Sequence, residues 1–219
     1  MMDGVRRWFT RGETLPRWEE FAVWARERHW SHKRTSSHDG WAMTHNDDLP
    51  GWRIEWGPSQ RAFMSAHEFR VRIDVGRWPD AQVLVLDRPL FARMDHEVYQ
   101  QFTDSVQTRW DDQMPEEMRW LAMHSKLGGN ELGVLRERYG AVAHDVAFAQ
   151  RWLAGPLTEA LKSRAEHLNA DETSGESMML RLFRGQVVIR QGAEKPTVAQ
   201  LEGCVQVALA AQEACRREP

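Results

Sequence analysis

The segment "HEFRVRIDV", residues 67 to 75, constrains the fold more than any other part of the chain: Phe69, Val71, Ile73 and Val75 alternate with Glu68, Arg70, Arg72 and Asp74. Successive side chains of a strand point to opposite faces, so this period of two predicts a strand with one face buried and one wet. "WRIEW", residues 52 to 56, repeats the pattern, with Trp52, Ile54 and Trp56 on the apolar side and Arg53 and Glu55 on the polar side. Such strands need neighbours in a sheet and a layer that covers their apolar face. "QVLVL", 82 to 86, has no polar alternation and reads as a strand covered on both sides in the sheet interior.

Helical signals flank these strands. Residues 16 to 30 read as a helix, with Pro16 in its first turn, Glu19 and Glu20 suited to the dipole, and Trp18, Phe21, Ala22 and Ala25 on one face. The polar stretch "SHKRTSSHDG", with Gly40 and the "LPG" at 49 to 51, then breaks the pattern. Asp87 before Arg88-Pro89 suits the cap of a helix running to about 108, whose stripe is Phe91, Met94, Val98, Phe102 and Val106. "MRWLAMHSK" suits a helix or a strand. Residues 131 to 168 read as helical, interrupted at Gly140 and at Gly155-Pro156. "SMMLRLFRGQVVIRQ" reads as a hairpin turning at Arg184-Gly185, with Met178, Leu180 and Leu182 on one face. Thr197 and Gln200 have capping-box spacing and open a last helix lined by Val198, Leu201, Val205, Ala208 and Gln212.

The expected class is therefore α+β: antiparallel sheet packed against amphipathic helices, with the helices at 16 to 30 and 90 to 108 over the tryptophan face. The 219 residues suffice for a single compact domain with its own core. The order helix, strands, helix recurs over 16–108 and 115–217, which allows two αββα-like halves, although residue identity between them is too low to mark a repeat.

A formal net charge of -3 excludes a strongly basic nucleic-acid footprint. For the 25 Arg against 4 Lys, a GC-rich coding sequence is a cheaper explanation than phosphate recognition, since Lys, Asn, Ile and Tyr together number only 12. The first 18 residues lack the apolar core of a secretory signal, and no apolar run approaches the ~20 residues that cross a bilayer, so the expected location is cytoplasmic, with no membrane partner. Cys204 and Cys215 lie about 16 Å apart along one predicted helix, too far for a disulfide, and are expected as reduced, buried thiols.

Several constellations bear on chemistry. His29, His32, His38 and His45 fall within 17 residues, among Asp39, Asp47 and Asp48. Imidazole and carboxylate suit zinc or another divalent metal, whose bound water would make the chain a metal-dependent hydrolase. The spacing matches no familiar ligand motif, and polar loops collect histidine. His144-Asp145, with His124 upstream, resembles the adjacent pair of the HD-type phosphohydrolases in those two letters. That family is helical and needs a later aspartate, whereas here a hairpin follows and Asp171 falls in a loop. "GPSQR" places Ser59 as in a nucleophile elbow, but Arg61 replaces the second glycine and no helix follows. "LGGNELG", 127 to 133, precedes a helix without the Lys-Ser/Thr pair of a phosphate loop.

The 11 Trp are high in number, and Trp52, Trp56 and Trp78 are candidates to line a ligand cavity. Alternation instead puts Trp52 and Trp56 in the core, and the polar face balances Arg53, Arg70 and Arg72 against Glu55, Glu68 and Asp74, as cross-strand pairing would. The motif survey leaves a non-enzymatic module that binds a protein partner or associates with itself as the leading expectation, given the surplus of Trp, Met and Arg. A metal-dependent hydrolase and a small-molecule binder with a Trp-lined cavity are the alternatives.

Overall fold

The computed structural model describes residues 18–35, 39–45, 51–76, 81–104, 114–169 and 177–217, with side chains described except at 101–104 and 167–169. The chain opens with α1 (Trp18–Glu27) and the strands β1 (Trp30–Arg34), β2 (Trp41–His45), β3 (Arg53–Pro58), β4 (His67–Asp74) and β5 (Gln82–Asp87). Then come α2 (Arg88–Asp104), α3 (Glu116–Met123), β6 (Ser125–Lys126), α4 (Gly129–Leu132), a 3-10 turn over Gly133–Glu137, and β7 (Tyr139–Ala143). The last part holds α5 (Val146–Leu153), α6 (Pro156–Asn169), β8 (Met178–Phe183), β9 (Gln186–Gly192) and α7 (Val198–Arg217).

Among the described residues the nine strands form one sheet in the order β1-β2-β3-β4-β9-β8-β5-β7-β6. Every pairing is antiparallel, and the fold is α+β. The β8–β9 hairpin lies between β4 and β5, so strands from 16–108 and 115–217 interleave in one sheet. Its turn is the expected Arg184-Gly185, and both residues have positive φ (47° and 73°). That geometry matches the twist of a two-residue hairpin and suits glycine at the second position.

The alternation of β4 sorts its residues as expected. Phe69, Val71 and Ile73 join Trp52, Ile54 and Trp56 of the neighbouring segment in a core that α1, α5, α6 and α7 cover. Phe21 of α1 packs on Trp41 and Phe69 (ring centroids 4.9 and 6.1 Å), and the Trp56 indole donates to the Ala193 carbonyl (2.8 Å). Each such large side chain withdrawn from water contributes roughly 1.5–3 kcal/mol. The opposite face carries a second core, where Leu84 and Leu86 of β5, Val142 and Met179 meet Leu90, Phe91, Met94 and Val98 of α2 and Trp120 and Leu121 of α3. Strand β5 is therefore covered on both sides, as its sequence predicts. The helix at 90 to 108, by contrast, does not cover the tryptophan face: α2 lies on the other side, and α7 joins α1 over the indoles. Phe102 and Val106, the end of the predicted α2 stripe, lie outside the described side chains.

Other expectations change locally. The first helix ends at Glu27, not 30, and His29 at φ 59° reverses the chain into β1. The polar stretch after it forms the β1–β2 hairpin, because Trp30, Trp41 and Met43 supply enough buried surface for one face while polar residues fill the other. "MRWLAMHSK" resolves as α3 followed by β6. The region from 131 to 168 is not wholly helical, since "YGAVA" is the buried strand β7. Gly140 marks it: a Cβ there would lie 2.3 Å from Cγ of Phe91, so β7 passes beneath α2 only as glycine. In α7 the capping box forms as expected, the Thr197 amide donating to Gln200 Oε1 (2.8 Å) and the Gln200 amide to Thr197 Oγ1 (3.2 Å). The buried stripe, however, runs through Leu201, Cys204, Ala208, Ala211 and Cys215, leaving Val198, Val205 and Gln212 half-buried. Both cysteines are free and buried. No helix among the described residues is long and apolar enough to cross a membrane.

Candidate functional site

A groove of 1170 Å³ lies on the α1, α6 and α7 side of the sheet, between the end of α1, α6 and the outer side of α7. Helical spacing explains its walls. Ala199, Gly203, Gln206, Ala210 and Glu213 of α7 recur at intervals of four and three, opposite to the buried stripe, and Pro156, Ala160 and Ser163 of α6 follow the same rule. These side chains are mostly small, so the two helices leave a channel between them. Gly203 faces open space, since a Cβ there would meet nothing within 4 Å. Leu209 borders the groove with 43% of its surface exposed. A narrower cleft of 420 Å³ runs from it along α1 past Val23, which is 47% exposed, and the two share Trp24, Arg28 and Glu202.

Arg164 and Gln191 form the floor. Arg164 Nε donates to Gln191 Oε1 (3.1 Å), and its terminal nitrogens donate to both Asp87 oxygens (3.1 and 3.4 Å) and to the Tyr139 hydroxyl oxygen (3.3 Å). Burial opposes the charge of Arg164, but Asp87 and Tyr139 outweigh it and hold the guanidinium above its ordinary value. Burial in turn pushes the Asp87 carboxyl up against the pull of Arg164. Asp87 is therefore not the cap that its position before α2 suggests: its carboxylate also takes the Met178 amide (2.6 Å), tying β5 to α6 and β8. The floor is a structural anchor, with Cys204 donating to Gln191 Oε1 (3.2 Å) beside it.

On the opposite face, the polar side of β4 forms a buried ionic network instead of the solvated pairs its alternation suggests. Glu68 and Glu117 are fully buried. Arg190 donates to Glu68, Arg70 bridges Glu68 and Glu55 (both 3.2 Å), and Arg61 and Arg181 hold Glu117 (3.0 and 3.3 Å). The register sets this row, since Glu55 faces Arg70 and Arg70 faces Arg190 across β3, β4 and β9. Burial pulls Arg190 below the usual guanidinium value, with Arg61 and Arg70 adding to it against Glu68. Burial raises the Glu55 carboxyl, but Arg53 and Arg70 more than reverse this and leave it lowered.

The sequence candidates are placed as follows. Trp52 and Trp56 are 4% and 6% exposed, inside the sheet core. Trp30 stands edge-on to Trp52 (6.0 Å), so the indoles that reach the groove are Trp24 and Trp30. Trp78 lies outside the described residues. His32 and His45 share the tryptophan side of the β1–β2 hairpin, against Trp18 and Trp30 (both 5.1 Å), while His29 sits exposed in the turn. His38, Asp47 and Asp48 lie outside the described residues. Among those described, no group of three or more His, Cys, Asp or Glu is placed to share a metal ion.

Asp145 caps α5 by accepting the Phe148 amide (3.0 Å), and His144 stands edge-on to His124 (5.7 Å). Burial, helped by His144, lowers the His124 pKa, and its Nε2 bonds Gln82 Oε1 (2.7 Å). Asp171 lies outside the described residues. The Ser59 hydroxyl is occupied in a turn, donating to the Arg61 carbonyl (3.0 Å) and accepting the Arg61 amide (3.1 Å). Residues 127–133 contain α4, and Leu127, Gly128, Gly129 and Leu132 border a cavity of 450 Å³ with Arg88 and Arg136.

Comparison with known proteins gives no match to any family model, curated protein or solved structure. The groove was not legible in the sequence. Trp24 lies on α1 and Arg28 just past its end, four residues on, but their partner Glu202 comes from α7, and nothing local announces that meeting.

Proposed function

We propose that the chain is a protein-interaction module that receives a helix of a partner in the groove between α1, α6 and α7. The observation that carries this reading is the pair of heptad-spaced, small-residue faces on α6 and α7 flanking a channel of 1170 Å³. Small residues at the contact let helices approach to the short end of the usual 8–10 Å interaxial distance, and the exposed Val23 and Leu209 supply apolar contacts at either end. Recognition by a helix in an apolar groove is a recurrent mode. The groove and cleft carry Glu19, Glu20, Glu27, Glu202 and Glu213 against Arg28 and the internally tied Arg164. Two copies meeting through this acidic surface would repel, which favours a different protein as the occupant.

A displayed library of helical peptides with randomised faces tests the reading. Peptides enriched on the protein should lose at least tenfold in affinity on Gly203→Trp, which puts a bulky side chain into the channel at a point where its Cβ meets nothing within 4 Å. Absence of enrichment, or enriched peptides that bind the variant equally well, would contradict it.

A further inference from the structure

We infer that the partner helix presents an arginine that takes the place of Arg28 between Trp24 and Glu202; this rests on the groove reading above. At the neck joining groove and cleft, Trp24 Nε1 donates to Glu202 Oε1 (3.0 Å), fixing that carboxylate at the edge of the indole ring. Arg28 occupies the receptor so formed. Its Cζ lies 4.9 Å from the Trp24 ring centroid, and one terminal nitrogen donates to the same Glu202 oxygen (2.9 Å). An indole face and an aligned carboxylate are the two elements that recognise a planar guanidinium, which stacks on the ring and hydrogen-bonds through its edge.

The internal occupant is loosely held. The side chains of Arg28 and Glu202 are 44% and 46% exposed, and ion pairs in that setting contribute little to stability. Arg28 is displaceable without disturbing the core, because its removal leaves Trp24 and Glu202 joined to each other. Two of the carboxylates flanking the neck, Glu27 and Glu202, draw the same charge. The receptor thus selects cationic over neutral helices, with Arg28 as an intramolecular competitor.

Calorimetric titration of the full chain with a model amphipathic helix, Leu and Ala on one face and Arg along its border, tests this against the same helix carrying Gln for Arg. The Arg helix should bind Arg28→Ala about tenfold more tightly than the unaltered protein. Adding Glu202→Gln, which keeps an acceptor for the Trp24 indole, should abolish that gain. The Gln helix should bind all three proteins alike. If the Arg and Gln helices bind Arg28→Ala equally, the arginine receptor is wrong while the groove stands. If neither helix binds any of the proteins, the groove reading falls with it.

Discussion

Replacing Arg190 with methionine lowers the free energy of unfolding by about 3–5 kcal/mol, the usual cost of removing one partner from a buried ion pair. Glu68 is the charge in question: it is fully buried on β4, and Arg190 meets it from β9 on the same sheet face. Arg70 and the Gln60 amide also reach Glu68 Oε1, while Oε2 has no hydrogen-bond partner among the described residues, so the loss of Arg190 takes away one of the two guanidinium groups that compensate this carboxylate. Adding Glu68→Met to Arg190→Met should recover a large part of the loss, since an apolar pair of similar volume carries no desolvation cost. Urea denaturation of the four proteins of this cycle supplies the numbers. A single-variant cost below about 1 kcal/mol, the range of exposed ion pairs, would mean that the network is solvated after all.

Trp56→Ala is expected to cost about 3–5 kcal/mol, from lost transfer energy and the cavity left behind. The indole has more than bulk to lose, because it donates to the Ala193 carbonyl just past β9 and stacks on His67 (5.1 Å, 17° between planes). Removing it leaves a buried acceptor without its donor. The same urea measurement applies, and the comparison with Val23→Ala is informative, because Val23 is exposed on α1 and its loss should change stability by less than about 0.5 kcal/mol. A small effect at Trp56 would place that ring outside the core.

What was legible in the sequence follows the strength of local periodicity. Strands β3 and β4 alternate cleanly, β5 is apolar throughout, and the β8–β9 turn and the α7 capping box have chemistry fixed by two neighbouring residues, so each was readable from its own segment. Strand β7 was misread as helix because both its faces are buried, which erases alternation, and only the contact of Gly140 with Phe91 explains the glycine. The β1–β2 hairpin was hidden by polar residues on its open face. Long-range partnership was out of reach altogether. Asp87 looked like a cap because its local context suits one, yet Arg164, 77 residues away, claims it. Likewise Glu68 and Arg70 resembled surface charges until β9 brought Arg190 beside them.

The same distinction governs where recognition takes place. A sheet face closed by α1 and α7 cannot serve as an aromatic platform, whereas the outer sides of α6 and α7 have no such cover among the described residues.

Residue-resolved hydroxyl-radical footprinting of the free protein measures this most directly. Trp52 and Trp56 should stay essentially unmodified while Val23 and Leu209 are oxidised, and a bound helix should protect those two residues alone of the four. Fast oxidation of both Trp52 and Trp56, with Val23 and Leu209 shielded, would contradict the account.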